Sequence, residues 1–281
     1  MDEIFFKSVD NIKYWTPKGF EISSYKWNLS EKVNQSYHTS GSDKTRLCTY
    51  TYNELGFRGD SIHKDGFKIM SIGDSNTEGV GVNNDETWPA QFSKLIKNGV
   101  DHNFGVGGRS NDFIARCLIT YYDFIKPDLV LIMYTQPHRR ELYTKDGGLE
   151  PFMITSQWGY TEETEDGREL QNNLTAIQND YEDFMNWYKN HLLIKYFLET
   201  KKCNWIWNGW LNIPKDYQEF NRFDGDYSSF SDFGSDGAHP GPNHNRRYAK
   251  NLINHISQKF SNYIPSMLNE EDLKINYKKI I

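Results

Sequence analysis

The chain has 281 residues, 37% of them hydrophobic and 15% aromatic, with 21 glycines; that core-forming share excludes disorder as the main state and allows one large domain or two small ones. Its 32 basic residues face 38 acidic ones for a formal charge of −6, and no Lys/Arg run is long enough to track a phosphate backbone, which argues against nucleic acid as a partner. The longest apolar run, Leu129 to Tyr134, falls far short of the roughly 18 residues of a bilayer-spanning helix.

The first residues, Met1-Asp2-Glu3-Ile4-Phe5-Phe6-Lys7, have no basic start, apolar stretch or small-residue cleavage site, so the expected location is the cytoplasm or a virus particle. Residues 1–66 are rich in Ser, Tyr, Lys and Asn without a sustained period, and read as an irregular extension packing on the core. Phe67-Lys68-Ile69-Met70-Ser71-Ile72, ending at Gly73, suits a buried strand. A helix follows from Glu86 to Lys97, with Trp88, Phe92, Leu95 and Ile96 on one side, Pro89 in its first turn and Asn98-Gly99 as its stop.

Val100 to Phe104 is a second strand, leading into Gly105-Val106-Gly107-Gly108, and Asn111 to Lys126 carries apolar residues at helical spacing up to Pro127. Asp128 to Met133 is the clearest strand, a continuous apolar run of the kind a parallel sheet covered on both faces requires. Residues 143–169 lack periodicity and read as a surface insertion. A long helix within 170–200, a strand Cys203 to Trp207, a Gly/Asp/Ser/Phe-rich loop through Gly234 and a last helix from Pro242 to about Tyr263 complete a domain over 67–265, with 266–281 as a tail. Strands alternating with helices imply an α/β fold with a mostly parallel sheet and helices on both faces, and ligand sites in such folds lie beyond the carboxyl ends of the strands. Cys48, Cys117 and Cys203 are scattered without a CxxC pair and read as reduced thiols. No metal or cofactor is expected.

Gly73-Asp74-Ser75-Asn76 follows the first core strand directly. Ser75 is there either a helix cap or a nucleophile beside backbone N–H groups able to stabilise an oxyanion. A nucleophilic serine needs an imidazole base, and the base needs an acceptor that fixes its tautomer. Asp236 and His239, on one loop before the last helix, supply such a pair; beyond His244 no further ligand stands at metal spacing. The glycine-rich turn Asn103 to Ser110 fails as a dinucleotide fingerprint, which would need glycine at Ser110, and the chain has no P-loop Gly-Lys-Ser/Thr.

Taken in order, Gly73-Asp74-Ser75, the Asn-x-Gly-x-x-Gly block at 103–108 and Asp236-x-x-His239 resemble the SGNH (GDSL-type) hydrolase family over roughly residues 67–262. Asn53-Glu54-Leu55-Gly56-Phe57-Arg58-Gly59 and Thr87-Trp88-Pro89 are similar to segments of a bacterial and phage-type branch. The resemblance implies a three-layer α/β/α sandwich with a short parallel sheet, and a serine esterase or deacylase acting on a small-molecule or carbohydrate ester. It makes Ser75 the nucleophile, His239 the base and Asp236 its orienting partner. The Ser75 amide and Gly108 would face the oxyanion, with Asp74 and Asn76 beside them. The family's third block, Gly-x-Asn-Asp, is replaced by Tyr134-Thr135-Gln136-Pro137-His138-Arg139-Arg140. Pro137, near the expected Asn position, cannot donate a hydrogen bond. Among Thr135, Gln136, His138, Arg139 and Arg140, the guanidiniums are the best-suited donors, so at least one of Arg139 and Arg140 is expected to face the cleft. The competing reading is a non-catalytic glycan-binding module in which Trp158, Trp207 and Trp210 stack on sugars.

Overall fold

A computed structural model describes residues 35–38, 47–143, 149–153, 178–209 and 229–259, with isolated positions between 172 and 176 and between 219 and 227. At its centre is a parallel sheet of four strands in the order β4-β3-β5-β8, formed by β3 (Phe67–Gly73), β4 (Gly99–Gly105), β5 (Leu129–Tyr134) and β8 (Asn204–Gly209). Registers such as Ile72↔Phe104, Ile72↔Ile132 and Ile132↔Trp207 set equivalent side chains on one face.

Burial explains the unbroken apolar run of β5. Val130, Ile132 and Tyr134 pack under α3 (Asn111–Ile125) and α4 (Asp180–Lys201), against Phe113, Leu118, Trp187 and Leu198. Leu129, Leu131 and Met133 point the other way, onto α2 (Trp88–Lys94) and α5 (Pro242–Lys259), against Trp88, Phe92, Tyr248 and Leu252. With both faces covered, strand positions have no reason to alternate with polar residues. The result is a three-layer α/β/α sandwich.

Local chemistry fixes the element ends. Thr87 caps α2 by accepting from the Ala90 N–H, and a proline stands in that helix's first turn. Ser110 caps α3 in the same way, accepting from Phe113. The α3 helix stops at Lys126, in the left-handed conformation at φ 52°, so the turn closes one residue before Pro127.

Two differences from the sequence expectation stand out. Between β3 and α2 the chain makes a four-residue helix α1 (Ser75–Glu78) and a short 3-10 turn, Asn84–Glu86, where a single helix was expected further on. Within the supposedly irregular 1–66 segment, β1 (Gln35–His38) and β2 (Leu47–Tyr50) form an antiparallel pair. Strands of four residues are too short to register as a period. A second antiparallel pair, β6 (Arg139–Tyr143) and β7 (Leu149–Met153), extends from the end of β5 into the expected insertion, most of which lies outside the described residues.

Candidate active site

The site forms where β3 ends, at the carboxyl edge of the sheet. Gly73 is the last residue of β3, and a Cβ there would run into the Thr77 hydroxyl, so only glycine lets α1 turn back against the strand. Asp74 caps α1: its Oδ1 accepts from the Asn76 N–H at 3.0 Å. Ser75 is thereby the first residue of the helix, partly exposed, while Asp74, Asn76, Thr77 and Glu78 are buried.

Ser75 Oγ lies 2.9 Å from His239 Nε2, and His239 Nδ1 is hydrogen-bonded to Asp236 Oδ2. The Asp236 Oδ1 atom accepts from the backbone N–H groups of Ala238 and His239, at 3.1 and 3.0 Å. These bonds orient the carboxylate toward the ring. Burial raises the Asp236 pKa, but the His239 ring and the loop amides outweigh it and hold the carboxyl below its ordinary range. The loop itself is anchored by Gly234 N to His239 O at 2.7 Å and by Asp232, whose carboxylate accepts from the Asn243 and His244 N–H groups at the start of α5. His244 is buried against Tyr227 and Phe230, and no group of three metal-ligating side chains exists among the described residues.

The glycine-rich turn after β4 is held against the same helix. Asn103 Nδ2 donates to Thr77 O at 2.7 Å, its Oδ1 accepts from Gly105 N, and Glu78 Oε2 accepts from Gly107 N at 2.7 Å. A Cβ on Gly107 would sit 3.6 Å from Ser75 Cβ, which sets the turn beside the serine. Gly108 adopts φ +72°, and among the described residues neither its N–H nor that of Ser75 donates to another group.

The remaining expected site residues are placed differently. Asp74 and Asn76 are spent on each other, since both the N–H and the Nδ2 of Asn76 donate to Asp74 Oδ1. The other oxygen of Asp74 accepts from Thr135 Oγ1 at 2.8 Å and Arg139 Nη1 at 3.0 Å. Asp74 is therefore an acceptor that ties the third-strand loop to the serine's turn, and one N–H of the Asn76 amide is held by it. Arg139 comes within one residue of Ser75 through this pair, at 14% side-chain exposure. Arg140 turns away: Nη2 reaches Glu182 O and Asp183 Oδ1 at the start of α4, and Nη1 donates to Pro137 O. A half-buried acidic partner on α4 outcompetes a solvated position in the cleft, a contact invisible when residues 140 and 183 are read separately. Asn111 pins the same loop by bonding both the N–H and C=O of Thr135. Trp207 is 1% exposed in the core beneath α4, so it offers no sugar-stacking face, and Trp158 and Trp210 lie outside the described residues.

Sequence reasoning missed Glu78 and Asn111, and passed over Thr135 in favour of the arginines. Glu78 and Asn111 are buried all the same, and their polar sequence neighbours gave no sign of it.

No protein-family model and no curated protein matches the chain. Solved structures similar to it include a carbohydrate esterase family 2 enzyme with its carbohydrate-binding domain from Corynascus thermopiles, 13% identical over 69% of this chain and 66% of that one, with a TM-score of 0.40. A carbohydrate acetylesterase family member from Sinorhizobium meliloti is 13% identical over 69% and 99% of the two chains, TM-score 0.31. A member of the lipolytic G-D-S-L family from Veillonella parvula is 14% identical over 66% and 96%, TM-score 0.30. The solved structures it is similar to thus include G-D-S-L lipolytic proteins and carbohydrate esterases.

Proposed function

We propose that this protein is a serine esterase or deacylase that hydrolyses an ester, such as an O-acetyl or other O-acyl group on a carbohydrate or small molecule, through an acyl-Ser75 intermediate. The observation that carries this reading is the chain of hydrogen bonds Ser75 Oγ, His239 Nε2, His239 Nδ1, Asp236 Oδ2. It unites three residues from two distant segments in the order that general-base activation of a serine requires.

In the first half-reaction Ser75 Oγ attacks the acyl carbon as its proton passes to His239 Nε2. The tetrahedral oxyanion is stabilised by the N–H groups of Ser75 and Gly108, the two donors that the turn geometry leaves available. The C–O bond to the alcohol then breaks, and the imidazolium returns its proton to the departing oxygen. Water repeats the sequence on the acyl-serine, giving free carboxylic acid and restoring the hydroxyl. Asp236, held in its ionised form, keeps the proton on His239 Nδ1 and stabilises the imidazolium.

The site has no third-block amide, so the oxyanion hole rests on backbone donors. Arg139 Nη1 is held by Asp74, so any assistance from this guanidinium falls to its other nitrogens. The test is labelling with a fluorophosphonate followed by peptide mass mapping, together with turnover of p-nitrophenyl acetate and acetylated sugars. An adduct on Ser75 that disappears in Ser75→Ala is expected. Folded wild-type protein that gives neither adduct nor turnover, while a control serine hydrolase gives both, refutes the reading.

A further inference from the structure

Arg58 is 1% exposed, yet each of its guanidinium nitrogens donates to one short stretch of chain. Nη1 donates to Glu78 O at 2.9 Å and to Gly79 O at 2.6 Å, Nη2 to Val82 O at 2.9 Å, and Nε to Asn84 Oδ1 at 2.8 Å. Those carbonyls close the helix that begins with Ser75. The stretch needs outside support, because Gly79 and Gly81 both adopt positive φ, 80° and 82°, and a chain with two such glycines has many alternatives. A planar fork with five donors can span carbonyls several residues apart, which an ammonium cannot.

Gly81 joins this stretch to the acid-base loop. Its N–H donates to the Tyr50 hydroxyl at 2.6 Å, and the Tyr50 ring lies 4.0 Å from the Arg58 guanidinium carbon. The Gly81 carbonyl accepts from Ser235 N at 2.8 Å, Ser235 Oγ at 3.2 Å and Cys48 Sγ at 3.1 Å. The Cys48 thiol also touches Ser235 Oγ directly, at 3.2 Å. A Cβ on Gly81 would stand 2.9 Å from Asp236 Oδ1, so the two loops meet at this residue without a side chain between them. Residues 79–84 are bracketed by the 48–58 segment on one side and by 234–236 on the other.

We propose that the segment from Cys48 to Arg58 is the positioning element of the active site: it fixes the turn after Ser75 and, through Gly81, holds the Asp236–His239 loop at hydrogen-bonding distance from the serine. This rests on the reading of Ser75, His239 and Asp236 as a triad. None of Cys48, Tyr50 and Arg58 touches the reacting atoms; they act through the backbone of 79–82 and through Ser235. The N-terminal segment is on this account a working part of the catalytic unit.

The test compares full-length wild type with Tyr50→Phe and Arg58→Lys. Tyr50→Phe removes one oxygen and keeps the ring, so it remains informative if Arg58→Lys fails to fold. Three readouts are taken: the rate of fluorophosphonate labelling at Ser75, kcat and KM on p-nitrophenyl acetate, and hydrogen–deuterium exchange in peptides covering 79–84, 234–239 and β5. Labelling and kcat should fall by about tenfold or more, with KM held within about twofold, since misplacement on the ångström scale costs up to about 10²-fold. The 79–84 and 234–239 peptides should exchange faster together while β5 does not change. Folded variants that label at the wild-type rate, or that exchange faster everywhere including β5, overturn the proposal, the latter because it marks a general loss of stability. If wild type itself gives no adduct and no turnover, the triad reading falls; the exchange data then decide alone, joint acceleration of the two loops upholding the positioning role and independent behaviour refuting it.

Discussion

Asp101 carries the sharpest test of the electrostatics. It sits in β4 at 4% exposure, its Oδ1 has no hydrogen-bond partner among the described residues, and the Asp60 carboxylate approaches from the side, accepting from the Asp101 N–H at 3.0 Å. Burial first, and Asp60 second, push its pKa from 3.8 up to about 8. The folded chain therefore keeps a proton that the unfolded chain has released, across the window from about pH 4 to about pH 8. Stability is greatest below that window and is lost as pH rises through it. Asp101→Asn supplies a neutral side chain of the same shape, so the variant should gain on wild type by about 1.4 kcal/mol per pH unit, or about 3 kcal/mol between pH 5 and pH 7. Urea unfolding of both proteins at pH 5, 6 and 7 measures this difference directly, and other titrating groups cancel in the comparison. A stability difference that stays constant over the three pH values shows that Asp101 is ionised in the fold and refutes the argument.

The other predictions concern neighbouring charges and the triad. His102 is wholly buried with neither ring nitrogen hydrogen-bonded among the described residues, and burial depresses it to about 4; its stabilising contribution is present above about pH 6.5 and lost toward pH 4, so His102→Leu should flatten the acid side of a melting-temperature profile, and an unchanged slope refutes it. His239→Ala is expected to lower kcat by at least about 10³-fold and Asp236→Ala by less, because the imidazole still reaches Ser75; steady-state kinetics in which His239→Ala equals wild type would sink the base assignment. Arg139→Met strips a donor from the buried Asp74 carboxylate and should cost roughly 3 kcal/mol in a denaturant titration. Arg140→Ala, whose guanidinium sits on Asp183, should leave turnover unchanged; a large kinetic loss there would restore Arg140 to the cleft.

Much of this could be read from residue order, and the limits follow from range. The β5 run announced a strand buried on both faces, and the Leu129/Val130 alternation between the two helix layers needed no other information. Ser75, His239 and Asp236, which the fold brings into one hydrogen-bonded row, could be nominated because each belongs to a short block whose residues are adjacent in sequence. Cys48, Tyr50 and Arg58 were not, since their contacts at Gly81, Ser235 and Glu78 lie 20 to 187 positions away and no local pattern encodes them. The same limit misdirected the reading of Arg140: two adjacent arginines in a loop are chemically alike, and only Asp74 on one side and Asp183 on the other separate their directions. The partners of Asp74 were equally hidden: besides capping α1 it takes bonds from Thr135 and Arg139, 61 and 65 positions away.

The hydrogen bond between Ser75 and His239 closes a loop of 164 positions. A chain emerging from the ribosome can form β3, α1, β4, α3 and β5 while the histidine is still unmade, and the serine then has the hydroxyl of an ordinary surface residue. Closing so long a loop is entropically demanding and among the later events of folding. If Ser75 is the nucleophile proposed above, its reactivity is acquired only when the 234–239 loop and α5 dock. A nascent-chain series stalled at successive lengths would display this as an abrupt onset of fluorophosphonate labelling, only after the segment beyond Pro242 has cleared the exit tunnel.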